Sequence, residues 1–109
     1  MSDHVTAGLL DEVVRRIVKT AHPRRIILFG SAAKGQMGPN SDLDILVVMP
    51  DGVHRRETAQ DLYRALLGVG FATDILVVTE SDIRDYGKNP SLVLCPALED
   101  GKEIFREGA

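Results

Sequence analysis

This sequence of 109 residues has a single cysteine, no tryptophan and no excess of positive charge. Its one cysteine is Cys95, so neither an internal disulfide nor a zinc site of several thiolates is expected within the chain. Three phenylalanines and two tyrosines give no stacking platform for nucleic-acid bases. Acidic side chains outnumber lysines and arginines by 16 to 13, for a formal net charge of -3. These properties argue against stable binding of nucleic acid and against attraction to anionic membranes.

The sequence also lacks an apolar run of membrane-spanning length and a basic N-terminal region followed by an apolar block. We therefore expect a cytoplasmic protein without a membrane segment. A composition of 44% hydrophobic and 27% charged residues is ordinary for a folded globular protein. The length suits one domain with a real core, so residues 1–109 are predicted to form a single domain.

The pattern of apolar residues predicts helices packed on a small sheet. Apolar residues at spacings of three and four indicate helices from Thr6 to Ala21 and from Arg55 to Leu67. Ser81 is the expected cap of a short helical turn, and Asn89 of a further helix. Short apolar runs predict three strands, and the C-terminal segment a fourth short one. The strand sequences are "RRIILFG", "DLDILVVM", "FATDILVVT" and "KEIFRE".

The connections between these elements predict how the strands are arranged. The helix between the second and third strands is a crossover, so these two should be parallel neighbours. The link between the first two, residues 30–42, is too short for a crossover helix and fits an antiparallel pair. The predicted fold class is therefore α/β (α+β), with a mixed three-stranded sheet that the C-terminal segment can extend by a fourth short strand.

Three aspartates are predicted to converge at one end of this sheet. Asp42 and Asp44 are separated by one residue, and alternate side chains of a strand share a face. Asp74 stands at the equivalent position of "TDILVV", which repeats most of "LDILVV" in the preceding strand. Neighbouring carboxylates repel one another unless a cation binds them. Oxygen ligands without histidine or cysteine suit Mg²⁺, which favours metal-assisted phosphoryl or nucleotidyl transfer.

A glycine-serine pair precedes the aspartates and supplies groups that suit a phosphate. Gly30 has no Cβ to obstruct close approach, and the backbone N–H groups that follow a strand end can donate to phosphate oxygens. Ser31 adds a hydroxyl, although it could equally cap a helical turn. Lys34 adds a cation that either contacts phosphate or lies in solvent. Arg55 and Arg56, at the start of the second predicted helix, either contact a ligand or partner or lie on a solvated face.

The stretch "GSAAKGQMGPNSDLDILVV" resembles the signature GSxARGxxxxxSDxDLxV of the minimal nucleotidyltransferases in the DNA polymerase β-like superfamily. The resemblance extends from the first predicted helix to the "LEDGKEIF" segment. It implies that Gly30, Ser31, Lys34 and Ser41 bind the nucleotide. Lys34 stands where the family usually has arginine, which keeps the charge but loses bidentate phosphate binding.

The same resemblance implies the chemistry of the three aspartates. Asp42, Asp44 and Asp74 would hold one or two Mg²⁺ ions, and Asp74 would also help to deprotonate the attacking hydroxyl. In the family, the usual partner is a small HEPN-type toxin. The leading hypothesis is therefore an antitoxin of a type VII-like pair that transfers AMP from ATP to a tyrosine of that toxin. Two alternatives remain open: a small-molecule nucleotidyltransferase of the aminoglycoside kind, and a non-catalytic antitoxin that acts by binding alone, in a complex with its partner.

Overall fold

The computed structural model describes residues 7–30, 43–70, 72–86 and 101–108, which form three helices and four strands. None of the helices in these ranges is both long and apolar enough to cross a membrane. The turn predicted just after Gly30 and the helix predicted to begin at Asn89 lie outside the described residues. In chain order the elements are α1 (Ala7–Ala21), β1 (Arg25–Phe29), β2 (Leu43–Met49), α2 (Arg55–Ala65), β3 (Thr73–Thr79), α3 (Glu80–Tyr86) and β4 (Lys102–Arg106).

Helix α1 forms where the sequence places apolar residues at helical spacing. Val13 and Ile17 lie one turn apart and are fully buried. The helix ends at Ala21 because His22 has a left-handed backbone with φ of 51°, a conformation typical of the residue after a helix. Pro23 follows and cannot continue the helix. The predicted helix is confirmed at its C-terminal boundary.

The four strands form one sheet in the order β3-β2-β1-β4. Strand β1 pairs antiparallel with β2 on one side and with β4 on the other, while β2 and β3 are parallel. The mixed sheet, its antiparallel and parallel pairs, and the fourth short strand are thus confirmed. Parallel pairing of β2 with β3 follows from the connection through α2, which carries the chain back to the end of the sheet where β2 began.

The sheet is apolar on both faces. One face packs against α1 and α2, and the other packs in part against Ile83 of α3. Strand residues alternate between the two faces, so β2 buries Ile45 toward α1 and α2 and Leu46 toward the other face. The fully buried side chains of the helix-covered face include Val13, Ile17, Ile26, Leu43, Ile45, Val47 and Leu62.

Two predicted helix boundaries are wrong. Helix α2 ends at Ala65 and not at Leu67, because the chain turns through Gly68 with φ of 85°. Leu67 therefore lies outside the helix and is 74% exposed. Helix α3 is capped by Thr79 and not by Ser81.

The cap of α3 is reciprocal. Thr79 Oγ1 accepts a hydrogen bond from the Asp82 N–H at 3.2 Å, and Asp82 Oδ2 accepts one from the Thr79 N–H at 3.0 Å. The bond from the Thr79 backbone, reinforced by Arg55 at 2.8 Å, holds the pKa of the Asp82 carboxyl below its usual range. Arg55 is thus engaged in an ion pair with α3.

Candidate active site

One end of the sheet collects three of the residues that the sequence singled out. Strand β1 ends just before Gly30, and β2 and β3 both begin at this same end because β1 runs opposite to them. Phe29 pairs with Asp44, and Asp44 pairs with Asp74. We call Gly30, Asp44 and Asp74 the carboxylate edge. These three predicted site residues are brought together by strand pairing alone.

The two carboxylates of this edge are neighbours on one face. Asp44 and Asp74 are directly opposite in the parallel register, and adjacent strands lie about 5 Å apart. They precede Leu46 and Leu76 by two residues and therefore share their face, which is the one opposite α1 and α2. Asp44 is half-buried and Asp74 is exposed. Like charges placed directly opposite each other are destabilising, so this pair lowers the stability of the fold unless a cation binds it.

Gly30 lies against the carboxylate of Asp44. A Cβ added to Gly30 would come closer than 3.0 Å to Asp44 Oδ2 and within 3.3 Å of Asp44 Cγ. The backbone of Gly30 also has φ of 70°, in the left-handed region that side chains disfavour. Glycine is therefore required here by conformation and by space. Its absent side chain lets the chain pass over the Asp44 carboxylate as it leaves β1.

Sequence reasoning missed one residue of this region, Tyr63 on α2. Its hydroxyl oxygen accepts a hydrogen bond from the Ile75 N–H at 3.0 Å and lies 3.4 Å from Asp74 Oδ1, to which the hydroxyl donates. The side chain is 41% exposed. No motif signals this contact, because it joins a helix residue to the start of the following strand.

The other predicted site residues, Ser31, Lys34, Ser41 and Asp42, lie outside the described residues, as does Cys95. Within the described ranges, no group of three or more histidine, cysteine, aspartate or glutamate side chains is placed to hold a metal ion. The described part of the candidate site therefore consists of two carboxylates, the glycine beside them and the Tyr63 hydroxyl.

The basic residues at the start of α2 lie away from this edge. Helix α2 begins after the opposite end of β2, where Val53, His54, Arg55 and Arg56 line an open depression. His54 caps the helix, since its Nδ1 accepts a hydrogen bond from the Glu57 N–H at 3.3 Å. The position of Arg55 in an ion pair with α3 favours the structural interpretation of this arginine over a ligand contact.

The donor set at the carboxylate edge fits a hard divalent cation. Asp44 and Asp74 offer carboxylate oxygens on adjacent strands, without the imidazole or thiolate ligands that softer metals prefer. A cation bound there would offset the repulsion between the two carboxylates. The arrangement suits a phosphate-bearing substrate whose charge such a cation neutralises.

The fold and the carboxylate edge together define an α/β nucleotidyltransferase core. The chain belongs to the nucleotidyltransferase domain family, whose model matches residues 10–103. The protein is accordingly a nucleotidyltransferase, a class that generally uses a nucleoside triphosphate and a divalent metal. The resemblance seen in the "GSAAKGQMGPNSDLDILVV" stretch is thus confirmed at the level of the family.

Several solved structures have a similar fold. A chain of a toxin–antitoxin structure determined with AMP-PNP is 27% identical, with a TM-score of 0.62 over 91% of this chain and 74% of its own. A MntA–HpeT toxin–antitoxin variant, in which two aspartates two positions apart are replaced by glutamate, is 24% identical, with a TM-score of 0.61 and the same coverage. A candidate nucleotidyltransferase from Sulfolobus solfataricus is 19% identical, with a TM-score of 0.62 over 92% of this chain and 79% of its own. The last two similarities concern the fold alone. No curated protein matches the sequence significantly.

Proposed function

We propose that this protein is a cytoplasmic antitoxin that transfers AMP from ATP to a tyrosine hydroxyl of a HEPN-type toxin. The observation that carries the proposal is the in-register pair of Asp44 and Asp74 beside Gly30. The similarity to a toxin–antitoxin structure with AMP-PNP supports the choice of nucleotide and the kind of partner. In this proposal the toxin supplies the acceptor hydroxyl, in keeping with the toxin–antitoxin complex to which the chain is similar.

We assign the aspartates to metal and proton chemistry. Asp42, Asp44 and Asp74 would hold Mg²⁺, which when bound supplies positive charge to the triphosphate. Asp74 would accept the proton of the attacking tyrosine hydroxyl, since it is the exposed member of the described pair. A bond forms between that oxygen and the α-phosphorus, the bond from the α-phosphorus to the bridging oxygen breaks, and pyrophosphate leaves.

The remaining site residues would hold the nucleotide. Gly30 allows the chain to pass closely over the Asp44 carboxylate, where a Cβ would come closer than 3.0 Å to Asp44 Oδ2, and its backbone would lie beside the triphosphate. Ser31 and Ser41 would donate hydroxyl hydrogen bonds, and Lys34 would add a positive charge near the β and γ phosphates. Together these groups orient the α-phosphate toward the exposed carboxylate of Asp74.

The test is transfer of label from ATP that carries it on the α-phosphate. The protein is incubated with Mg²⁺ and the product of a neighbouring HEPN gene, beside Asp44→Asn, Asp74→Asn and the control Asp61→Asn. Asp61 lies on α2, is exposed and is 3.6 Å from Arg64. We expect label on a toxin tyrosine with the unsubstituted protein and the control, and a loss of at least about a hundredfold in the other two variants.

Other results would contradict the proposal in distinct ways. Toxin neutralisation that survives both Asp44→Asn and Asp74→Asn would indicate an antitoxin that acts by contact alone. Label that appears on an aminoglycoside and not on the toxin would indicate a small-molecule nucleotidyltransferase. If ATP labelled on the α-phosphate gives no labelled toxin and ATP labelled on the γ-phosphate does, the reaction is that of a kinase.

A further inference from the structure

We propose that Tyr63 is a positioning residue that holds the carboxylate of Asp74 in its working orientation. The inference rests on the proposed function, in which Asp74 binds metal and accepts a proton. It adds a residue that lies outside the glycine-serine and aspartate motif. Tyr63 would not touch the substrate, and its effect would pass through Asp74.

The two hydrogen bonds of the Tyr63 hydroxyl determine that its proton points toward Asp74. The Ile75 N–H has a proton to donate and no acceptor atom, so at 3.0 Å the hydroxyl oxygen must be the acceptor of that bond. The hydroxyl proton is then available to Asp74 Oδ1 at 3.4 Å. One hydroxyl thus contacts the side chain of Asp74 and the backbone of the next residue.

The start of β3 is where such a contact is needed. Strand β3 lies at one edge of the described sheet, with β2 as its partner there, so its outward backbone groups have no neighbouring strand to bind. Asp74 is exposed and lies opposite the like-charged Asp44. Exposure leaves the carboxylate several rotamers, and repulsion favours those that turn away from Asp44. A hydrogen bond from Tyr63 limits this freedom.

The helix that carries Tyr63 is itself firmly held. Leu62 on the same helix, and Leu66 directly after its last residue, are buried in the core beneath the sheet. Tyr63 is nevertheless 41% exposed, so water could satisfy its hydroxyl equally well. Burial therefore does not force the contact with Asp74. The packed helix nevertheless fixes the backbone of Tyr63, so that its side chain can orient that carboxylate.

The test compares Tyr63→Phe with Thr58→Val, two variants that each remove one hydroxyl from α2. Thr58 Oγ1 donates to the His54 backbone oxygen at 2.9 Å, at the opposite end of the helix from the carboxylate edge. The measurement is the Mg²⁺ concentration that gives half of the thermal stabilisation produced by Mg²⁺ with a non-hydrolysable ATP analogue. This readout requires no turnover. We expect Tyr63→Phe to need about tenfold more Mg²⁺ and Thr58→Val to match the unsubstituted protein.

A second comparison separates positioning from a general structural role. In an Asp74→Ala background, Tyr63→Phe should have no further effect on the Mg²⁺ midpoint, because Tyr63 acts through the missing carboxylate. A tenfold effect that persists without Asp74 would overturn the inference, and so would a Tyr63→Phe midpoint equal to that of Thr58→Val.

The outcome also distinguishes this inference from the proposed function. If Asp74→Ala leaves the Mg²⁺ midpoint unchanged, the metal role of Asp74 is refuted, and the inference falls with it. If Asp74→Ala raises the Mg²⁺ midpoint while Tyr63→Phe behaves as the unsubstituted protein, the inference alone is refuted. AMP found on Tyr63 by mass spectrometry after incubation with ATP would also refute it, because the modified oxygen has no proton to donate.

Discussion

Replacement of Gly30 by alanine tests whether the backbone beside Asp44 is part of the active site. The left-handed backbone, with φ of 70°, costs an alanine about 1–2 kcal/mol relative to glycine. The new Cβ would also come closer than 3.0 Å to Asp44 Oδ2, so the carboxylate must move. Moving a side chain off its rotamer costs about 1 kcal/mol more. We expect Gly30→Ala to lower the free energy of unfolding by about 2–3 kcal/mol.

Gly68→Ala is the matched control. Gly68 has φ of 85°, and no atom lies within 4 Å of the position its Cβ would take. The control therefore carries the same backbone strain without the contact with Asp44. We expect Gly68→Ala to lose about 1–2 kcal/mol in urea unfolding while its transfer activity remains normal. Gly30→Ala should lose about a hundredfold in activity, because a displacement of about 1 Å at a catalytic group can cost that much.

Two results would refute this reasoning. If Gly30→Ala keeps its activity, the position of the Asp44 carboxylate is not critical to the reaction. If Gly68→Ala loses as much activity as Gly30→Ala, backbone strain and not the position of Asp44 accounts for the loss. Both measurements are made below the unfolding midpoint of each variant, so that the fraction of folded protein does not enter the comparison.

Three further predictions follow from burial and charge. Leu62→Ala should lower the free energy of unfolding by about 3 kcal/mol in urea denaturation, whereas Leu67→Ala should change it by no more than about 0.5 kcal/mol. Asp82→Ala should cost about 1 kcal/mol at neutral pH. The pKa of Asp82 in the folded protein lies below the ordinary 3.8. The stability difference between Asp82→Ala and the unsubstituted protein should therefore have its full value above pH 3.8 and shrink as acid protonates the carboxyl, which unfolding curves followed into the acid range would measure. Asp74→Asn should raise stability by about 0.5 kcal/mol in EDTA, where calorimetry should register the relieved repulsion with Asp44.

The sequence predicted most of the sheet because its signals are local. Runs such as "RIILF" and "DILVV" are too short and too β-branched for helices, and the length of each connection determines whether neighbouring strands are parallel. Helix boundaries were harder to predict. Leu67 continues the apolar pattern of α2, but the turn at Gly68 ends the helix first and turns that side chain to solvent.

The candidate site was predictable only where strand pairing builds it. Asp44 and Asp74 meet because the two strands repeat one pattern, which can be read from the sequence. The contact of Tyr63 with Asp74 depends on the angle at which α2 crosses the sheet, and no spacing rule gives that angle. The prediction of the cap of α3 was wrong for a similar reason, since Thr79 and Ser81 are equally plausible caps until the position of Asp82 is known.

The repeated pattern of β2 and β3 makes the carboxylate pair a consequence of the core. Asp44 is opposite Asp74, Ile45 opposite Ile75, and the identical pairs continue through "LVV". A shift of one residue would turn Asp74 toward the buried face beneath α1 and α2, which no charged side chain of the described residues occupies. A shift of two residues toward Leu46 would keep the faces but place Asp74 opposite that buried leucine. The register that satisfies the core is therefore the one that pairs the carboxylates, so the packing energy of the sheet holds together two charges that would otherwise separate.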